Sequence, residues 1–599
     1  MKRDWNGFLR KRENVYFSLA LFFGFLMALA NPPFAGVPDE GAHYLRTLTI
    51  ASGNYNCKGE GMVSGAALGL AEELKPTKVQ GIDGEKISLG KIKRALFEKD
   101  NKKKIPFAGA LCGSNPLGYV PQVMGVKIAE TLNVPVLWGF YLGRIFNMLS
   151  AVVLTYLAIR LLPFGKIIFL LIALLPMTLQ QYASLSYDAL HFSIIFLFSA
   201  YALKLAVERK IISRKEMFTL GVLAILAANI KFGFIPILLL LFIFPRAKFT
   251  TKKEYWTFIS FSILLSGLFF WMWQKGAVSG DGAREGVYPL EQLFLVLKNP
   301  VSFLYAVFFT IYDNINFFLE TFLYKPGWLN DSLPFVWYMA VLFGMILLIR
   351  SEEENVDLEI RQRLVLGLTF LAGFLFVFFS LYIFWTKVGA NKVQGVQGRY
   401  FLGISPLALL AFYKAKFNFR SEYIRKYINE VVVIFVGLSF VFAIISLWNI
   451  YYDKGEVEGK YRYQQLLGKE QRLSSGSVLA ENGITQTFKS PKEELVGVKL
   501  YVVKGVYSSR ALFYLKDADC GKILRKKEFV WEGEEFSSIE IIFGLVSESK
   551  EKKFCLEGKF SPGTPILFRV FEGLHDGGEA IFDGNLLKED LVFDLIYKN

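Results

Sequence analysis

Eleven stretches of this 599-residue chain, at about 15–30, 138–160, 166–182, 189–206, 217–230, 232–245, 255–274, 335–349, 363–385, 402–413 and 428–449, are nearly free of charge. No other feature restricts the fold as much. Such runs have to be hidden from water in lipid or in one another, and in lipid only helices satisfy their own backbone groups. Hydrophobic residues make up 53% of the chain and charged residues 20%, with Phe alone at 58 positions, which favours a polytopic membrane protein over a large soluble enzyme. The expected architecture is an all-α membrane domain of about eleven spans over residues 1–449, with 34–137 as a large first outer loop, followed by an extracytoplasmic β-sandwich over 450–599.

The basic start "MKRDWNGFLRKRE" precedes the first run, which ends at Pro32-Pro33. It reads as a spanning helix or as a cleaved signal peptide, since Ala28-Leu29-Ala30 resembles a cleavage site. On both readings the chain emerges outside. The linkers "ERKIISRKE", "RAKFTTKKE" and "KAKFNFRSEYIRKY" are basic, and cytoplasmic loops collect Lys and Arg. Placing all three inside requires that residues 301–323, which carry Asp313, Asn314, Asn316 and Glu320, re-enter or lie at the outer interface. The chain is then a multi-pass protein of the cell membrane, amino terminus cytoplasmic and carboxyl-terminal domain outside. The net charge of +15 reflects basic runs between apolar segments, as membrane proteins collect them; no basic, aromatic-interleaved soluble domain offers itself to a nucleic acid.

Beyond residue 450, short runs such as "VKLYVV", "ALFYLK", "IEIIFGLV" and "ILFRVF" are punctuated by Gly, Ser, Asp and Lys, the pattern of antiparallel strands. The four cysteines, Cys57, Cys112, Cys520 and Cys555, include no C-x-x-C pair. If both regions lie outside, two disulfides are expected, with Cys57–Cys112 and Cys520–Cys555 the local pairing; four free thiols are the alternative.

By the same parity several ionisable groups collect at the outer ends of the spans. Asp39, Glu40, His43 and Arg46 follow the first run in "NPPFAGVPDEGAHYLRTLTIASG". Asp188 and His191 open the fourth in "SLSYDALHF", Lys231 interrupts "AANIKFGFIP", and Arg399 and Tyr400 lie in "VQGVQGRYF". A carboxylate at that depth can act as general base toward a hydroxyl, and Arg and Lys can neutralise a departing phosphate. Each group also has a structural reading: Asp39 as a helix cap, the histidines as packed helix residues, Lys231 as a snorkelling lysine, Arg399 as an anchor for lipid phosphate.

The blocks "NPPFAGVPDEGAHYLRTLTIASG", "SNPLGYVPQVMG", "LLPMTLQQYASLSYDAL", "LAANIKFGFIP" and "VQGVQGRYFLGISP", in that order, resemble the bacterial integral-membrane family known as domain of unknown function twenty-one forty-two, over roughly residues 15–450. That family is similar to the C superfamily of glycosyltransferases, which take a sugar from a polyprenyl phosphate and carry an acidic pair in the first outer loop. The resemblance implies a catalytic pair Asp39 and Glu40, a second acidic position at Asp188 and a donor-phosphate ligand at Arg399. With it come a polyprenyl-phosphate sugar donor, a glycan or lipid acceptor, and membrane lipid as surroundings. Arg46, Lys231, His43 and Tyr400 complete the expected substrate site, and Asp188 with His191 is a metal-site candidate for Mg²⁺ or Mn²⁺. The sequence departs from the family pattern at Asn115-Pro116, where Pro-Pro is usual, and in the late Pro406. A transporter or flippase of lipid-linked glycans, and a non-catalytic envelope assembly protein, are the alternatives.

Overall fold

The computed structural model describes residues 11–452 except 35, 59, 75–88, 98–102, 209, 232, 277–285, 328, 330–331, 353–355 and 414–426. Beyond 452 it describes 461–464, 476–480, 483–490, 494–505, 509–531, 536–550, 552–560, 566–572, 580–582, 585–587, 589–591 and 593–598. The chain divides into two compact units, a helical one of residues 1–75 and 87–452 and a strand-rich one that contains 453–599.

The helical unit opens with α1 (Arg12–Ala30), which Pro32 and Pro33 end, and α2 (Glu40–Ala51). The region expected as a first outer loop is a folded layer. Strand β1 (Gly61–Ser64) pairs antiparallel with β2 (Lys104–Phe107), and between them in sequence lie α3 (Gly65–Glu73) and α4 (Leu89–Ala95). Ser64 caps α3 by accepting from the Ala67 N–H. Cys57 and Cys112 are joined across the base of this layer. A 3-10 turn, Pro116–Tyr119, then leads into α5 (Val120–Leu132). Phe34, Tyr44, Leu48, Val63, Leu70, Val126 and Phe140 form the core beneath.

The bundle continues as α6 (Val136–Leu161), α7 (Lys166–Ala173), α8 (Pro176–Tyr182), α9 (Asp188–Val207), α10 (Arg214–Asn229), α11 (Lys252–Gly276), α12 (Pro289–Lys298), α13 (Pro300–Leu323), α14 (Phe335–Arg350), α15 (Ile360–Phe384), α16 (Ser405–Ala411) and α17 (Ile428–Tyr451). A 3-10 helix, Ile235–Ile243, follows α10, and a 3-10 turn, Gly398–Phe401, precedes α16.

Among the described residues seven single helices are long and apolar enough to cross a membrane, α1, α6, α9, α11, α13, α15 and α17, while others of the eleven expected runs fold as shorter helices. The difference has a physical cause. The apolar run 166–182 is broken at Leu174-Leu175, and Pro176 starts a new helix, since proline at the first helical position gives up no intrahelical bond. All seven residues of α8, and seven of the eight in α7, are buried. The run 232–245 is a nine-residue 3-10 helix whose Ile237, Leu238, Leu240, Leu241 and Ile243 are likewise buried. These segments are apolar because protein covers most of them, with Leu239 of the 3-10 helix the exposed exception, and broken helices persist only under such cover. Helices α10 and α14, 16 residues each, reach about 24 Å, short of the hydrocarbon layer.

Pro300–Leu323 form one kinked helix of 24 residues, long and apolar enough to cross a membrane. Its polar stretch produces a kink: Asn314 leaves helical geometry and its side-chain amide donates to the Thr310 carbonyl.

In the second unit β3 (Tyr461–Gln464), β4 (Gly476–Ala480), β5 (Gly483–Lys489), β6 (Leu495–Gly505), β7 (Ser509–Lys516), β8 (Ile523–Trp531), β9 (Phe536–Val546), β10 (Lys553–Phe560), β11 (Ile566–Glu572), β12 (Ala580–Phe582), β13 (Asn585–Leu587), β14 (Glu589–Leu591) and β15 (Phe593–Lys598) build two antiparallel sheets. One runs β13-β12-β5-β10-β7-β8 and the other β14-β11-β6-β15-β3, with β4 and β9 attached to β11 and β6. Phe488, Leu500, Phe513, Ile541, Phe554 and Leu556 are buried, and Cys520 and Cys555 tie the turn after β7 to β10.

Candidate functional site

The site assembles from helix ends. Asp39 stands at the N-cap of α2 with φ 63° and ψ 6°, in the left-handed region that Asp tolerates better than most residues. Its side chain caps nothing. The carboxylate lies 3.7 Å from the Arg399 guanidinium; the Asp39 side chain is 54% exposed and that of Arg399 only 4%. Arg399 is held from two further sides, with Nε donating to Gln397 Oε1 at 2.6 Å and Nη1 to Gln181 Oε1 at 3.2 Å. Asp188, at the start of α9, accepts a charge-assisted bond of 2.6 Å from Lys231, just past α10. The Lys231 ammonium also lies 4.5 Å from the Tyr400 ring centre and 5.3 Å from that of Tyr187. Two carboxylates and two cations thus alternate around Tyr400.

His43 forms the wall behind them. Its Nδ1 shares a 2.8 Å hydrogen bond with the Tyr119 hydroxyl, and its ring meets Tyr187 edge-on at 5.2 Å. Burial pushes the imidazole pKa down to about 4, against the pull of Asp39 and Asp188, so His43 is neutral near pH 7. His191 lies one turn beyond Asp188, fully buried, its ring 4.4 Å from Phe234. Among the described residues no three His, Cys, Asp or Glu side chains come together to hold a metal ion.

Two of the residues expected here face elsewhere. Glu40, adjacent to Asp39, is completely buried. Arg144 of α6 donates to both its oxygens, Nε to Oε1 at 2.7 Å and Nη2 to Oε2 at 2.5 Å, and Oε1 also accepts from the Leu185 N–H at 3.1 Å. The same guanidinium donates to the carbonyls of Ala28, Asn31 and Pro32 at the end of α1. Arg46, on α2, donates to the carbonyls of Tyr55 and Ser114 and to the Cys57 sulfur. It fastens the disulfide-linked layer to α2. Arg144 was legible as a lone charge inside an apolar run, "WGFYLGRIFNMLS"; Tyr119, Tyr187 and Gln181 carried no such signal.

The turn that carries Arg399 separates two environments. Gly398 and Phe401 line an apolar groove of about 420 Å³ walled by α13, α14, α15 and α16, including Ile315, Phe318, Met345 and Phe374. Gly398 is needed there because α13 passes too close for a side chain: an added Cβ would sit 2.0 Å from the Phe318 carbonyl oxygen. The Gly398 N–H in turn donates to the Thr321 hydroxyl at 2.7 Å. Gly398→Ala is therefore expected to push the turn off α13 and lower the thermal midpoint of the purified protein, at a cost of about 1–3 kcal/mol. A midpoint equal to wild type would show that the turn has room to spare.

A bundle of apolar helices with an ionic cluster where helices start and stop fits an integral-membrane protein. The chain belongs to the family described as predicted membrane protein DUF2142, whose model matches residues 21–408 and so encloses every residue of the cluster. No curated protein and no solved structure matches it.

Proposed function

We propose that the protein is a membrane glycosyltransferase that moves a sugar from a polyprenyl-phosphate carrier to a glycan or lipid acceptor at the cell surface. The observation that carries this is the position of Arg399: a buried cation beside an exposed carboxylate, on a four-residue turn whose Gly398 and Phe401 line an apolar groove. A lipid phosphate has that chemistry, an anion joined to a long apolar chain. The chain would lie along Ile315, Phe318 and Phe374, and the phosphate would meet Arg399 and Lys231.

In the reaction an acceptor hydroxyl attacks the anomeric carbon of the donor sugar. The new C–O bond forms as the bond from that carbon to the phosphate oxygen breaks, Asp39 takes the hydroxyl proton, and polyprenyl phosphate leaves carrying the bond's electron pair. The anomeric configuration inverts. Glu40 acts by placement, holding the start of α2 so that Asp39 faces Arg399. Asp188 pairs with the Lys231 ammonium, and among the described residues no further carboxylate, His or Cys side chains gather with it and His191 into a set for Mg²⁺ or Mn²⁺. On this reading the site and the strand-rich unit, as a β-sandwich, lie outside the cytoplasm.

The test is transfer of labelled sugar from polyprenyl phosphate in membranes containing the full chain. Arg399→Ala is expected to abolish transfer, and Arg399→Lys to restore it only in part, because an ammonium lacks the two-pronged fit to phosphate. Wild-type transfer by Arg399→Ala would overturn the assignment.

A further inference from the structure

Helix α13 is long and apolar enough to cross a membrane, yet it lies across α15 rather than along it. Phe303, at its start, meets Phe379 and Tyr382 of α15 with ring centres 5.8 and 5.5 Å apart. Phe318, near its end, meets Phe378 of α15 at 6.1 Å. About 22 Å of helix separates Phe303 from Phe318, and both reach the last two turns of α15. A helix running beside α15 through a bilayer would bring Phe318 to a residue about 20 Å nearer the start of α15. We infer that α12 and α13 do not cross the membrane but lie in its surface, with one apolar stripe sunk among the acyl chains of the adjoining leaflet.

The ends of the neighbouring helices agree. Just past the end of α14, Glu352 accepts from Arg12 at the start of α1, at 2.9 Å, so these two ends share one face of the bundle. The start of α15 is tied to the same face. Its Arg363 donates to the Tyr413 carbonyl at 2.6 Å, the Tyr413 ring packs on Phe164 at 5.2 Å, and the nearby Ile167 N–H donates to Glu352 at 3.0 Å. From there the 25 residues of α15 rise about 37 Å to Phe384 at the opposite face. Just beyond, the Gly389 N–H donates to Gln292 Oε1 of α12 at 2.9 Å, so α13 begins at that opposite face. At the far end of α13 the Tyr324 carbonyl accepts from the Tyr338 hydroxyl at 3.0 Å, in the first turn of α14. Both ends of α13 therefore lie toward one face.

The four sides of α13 fit that placing. Phe303, Ala306, Val307 and Thr310 are buried in the bundle. Asp313 and Glu320, two turns apart on one flank, pair with Lys392 and Lys325. Ile311, Phe318 and Phe322, on the other flank, line the apolar groove. The side away from the bundle continues a stripe that begins in α12. Leu290, Phe294, Leu297, Val301, Leu304 and Phe308 recur at helical spacing and are from 53% to 71% exposed. In α12 the usual polarity is reversed: Gln292 is completely buried while Leu290, Phe294 and Leu297 face out. A helix with a polar flank along its length and an open apolar stripe belongs in an interface, between acyl chains and headgroups. Tyr288 before α12 and Trp385 after α15 are exposed at the same level, where aromatic residues gather. The stripe meets the open groove at Ile315, so one continuous apolar surface faces the leaflet.

The experiment reconstitutes the full chain in bilayers of phosphatidylcholine and phosphatidylglycerol, with one nitroxide spin label per sample. The stripe is sampled by Phe294→Cys, Val301→Cys, Leu304→Cys, Phe308→Cys and Ile315→Cys, and the polar flank of α12 by Glu291→Cys. All six side chains are exposed, so the core is untouched, and the native cysteines are tied in two disulfides. Power saturation by oxygen and by a water-soluble nickel chelate reads the depth of each label. The five stripe labels are expected at one shallow depth, about 5–10 Å below the headgroup boundary, and the Glu291→Cys label at the aqueous side. A depth that changes by about 20 Å between Val301→Cys and Ile315→Cys, passing the bilayer centre, would show that α13 crosses and would overturn the inference. Stripe labels shielded from both oxygen and nickel, or broadened by a label on a neighbouring copy, would put protein on the stripe in place of lipid and overturn it equally.

Discussion

Protein carrying Asp39→Asn is expected to insert, fold and melt as wild type and to transfer sugar about 10²–10⁴-fold more slowly, the usual effect of losing a general base. The structure makes this an unusually clean substitution. Asn is the residue that best shares Asp's tolerance of the left-handed backbone, so φ 63° adds no new strain. The Asp39 side chain caps no helix, so no cap is lost. It is 54% exposed and 3.7 Å from Arg399, so removing its charge strips only a long, solvated ion pair of small worth. Fold and chemistry are thereby separated. Asp39→Asn protein of normal abundance and normal melting that transfers at the wild-type rate would mean that the hydroxyl proton goes elsewhere.

The neighbouring carboxylate should behave in the opposite way. Glu40→Gln is expected to lower abundance and thermal midpoint sharply, because it leaves the Arg144 guanidinium buried without its countercharge. Breaking a buried pair by removing one partner costs about 3–5 kcal/mol. Both groups have side chains with 0% exposure, and the guanidinium also anchors three carbonyls at the end of α1, so the loss reaches the packing of α1, α2 and α6 together. Replacing both partners, as in Glu40→Gln with Arg144→Met, removes the orphaned charge, so the double variant should lose less than the sum of the two single changes. Melting of the detergent-purified variants, followed by size-exclusion fluorescence, reads the effect. A Glu40→Gln protein that melts like wild type but has no activity would return Glu40 to the reaction itself.

The notion of a polar cluster at helix ends was legible in the sequence, because isolated charges beside apolar runs stand out against their surroundings. Asp39, Asp188, Lys231 and Arg399 all come together as such a cluster. How the apolar runs divide into long and short helices was not legible. Hydropathy reports only that a segment avoids water, and α7, α8 and the 3-10 helix Ile235–Ile243 avoid it by being surrounded by protein. Nor was the first loop legible as a layer, since its strands are only four residues each and its core is completed by Val126, Phe140 and other residues from later helices.

What the amino-acid order determined by itself is what local chemistry can encode: apolar runs that must become helices, a change to strand-length segments near residue 450, proline breaks, and which residue types are available to act. Only the tertiary structure decided which of them act together. Asp39 and Glu40 are adjacent and alike in chemistry, yet one faces open space beside Arg399 and the other is locked against Arg144. Arg46 and Arg399 are equally cationic, yet one is spent on the carbonyls of Tyr55 and Ser114 while the other meets Asp39 and Gln181. The physical reason is range. An ion pair forms between groups within a few ångströms, whatever their separation along the chain, and Glu40 lies 104 residues from Arg144. Which partner a charge meets is fixed when the helices pack, and helix packing is settled by the whole apolar core rather than by the residues beside that charge.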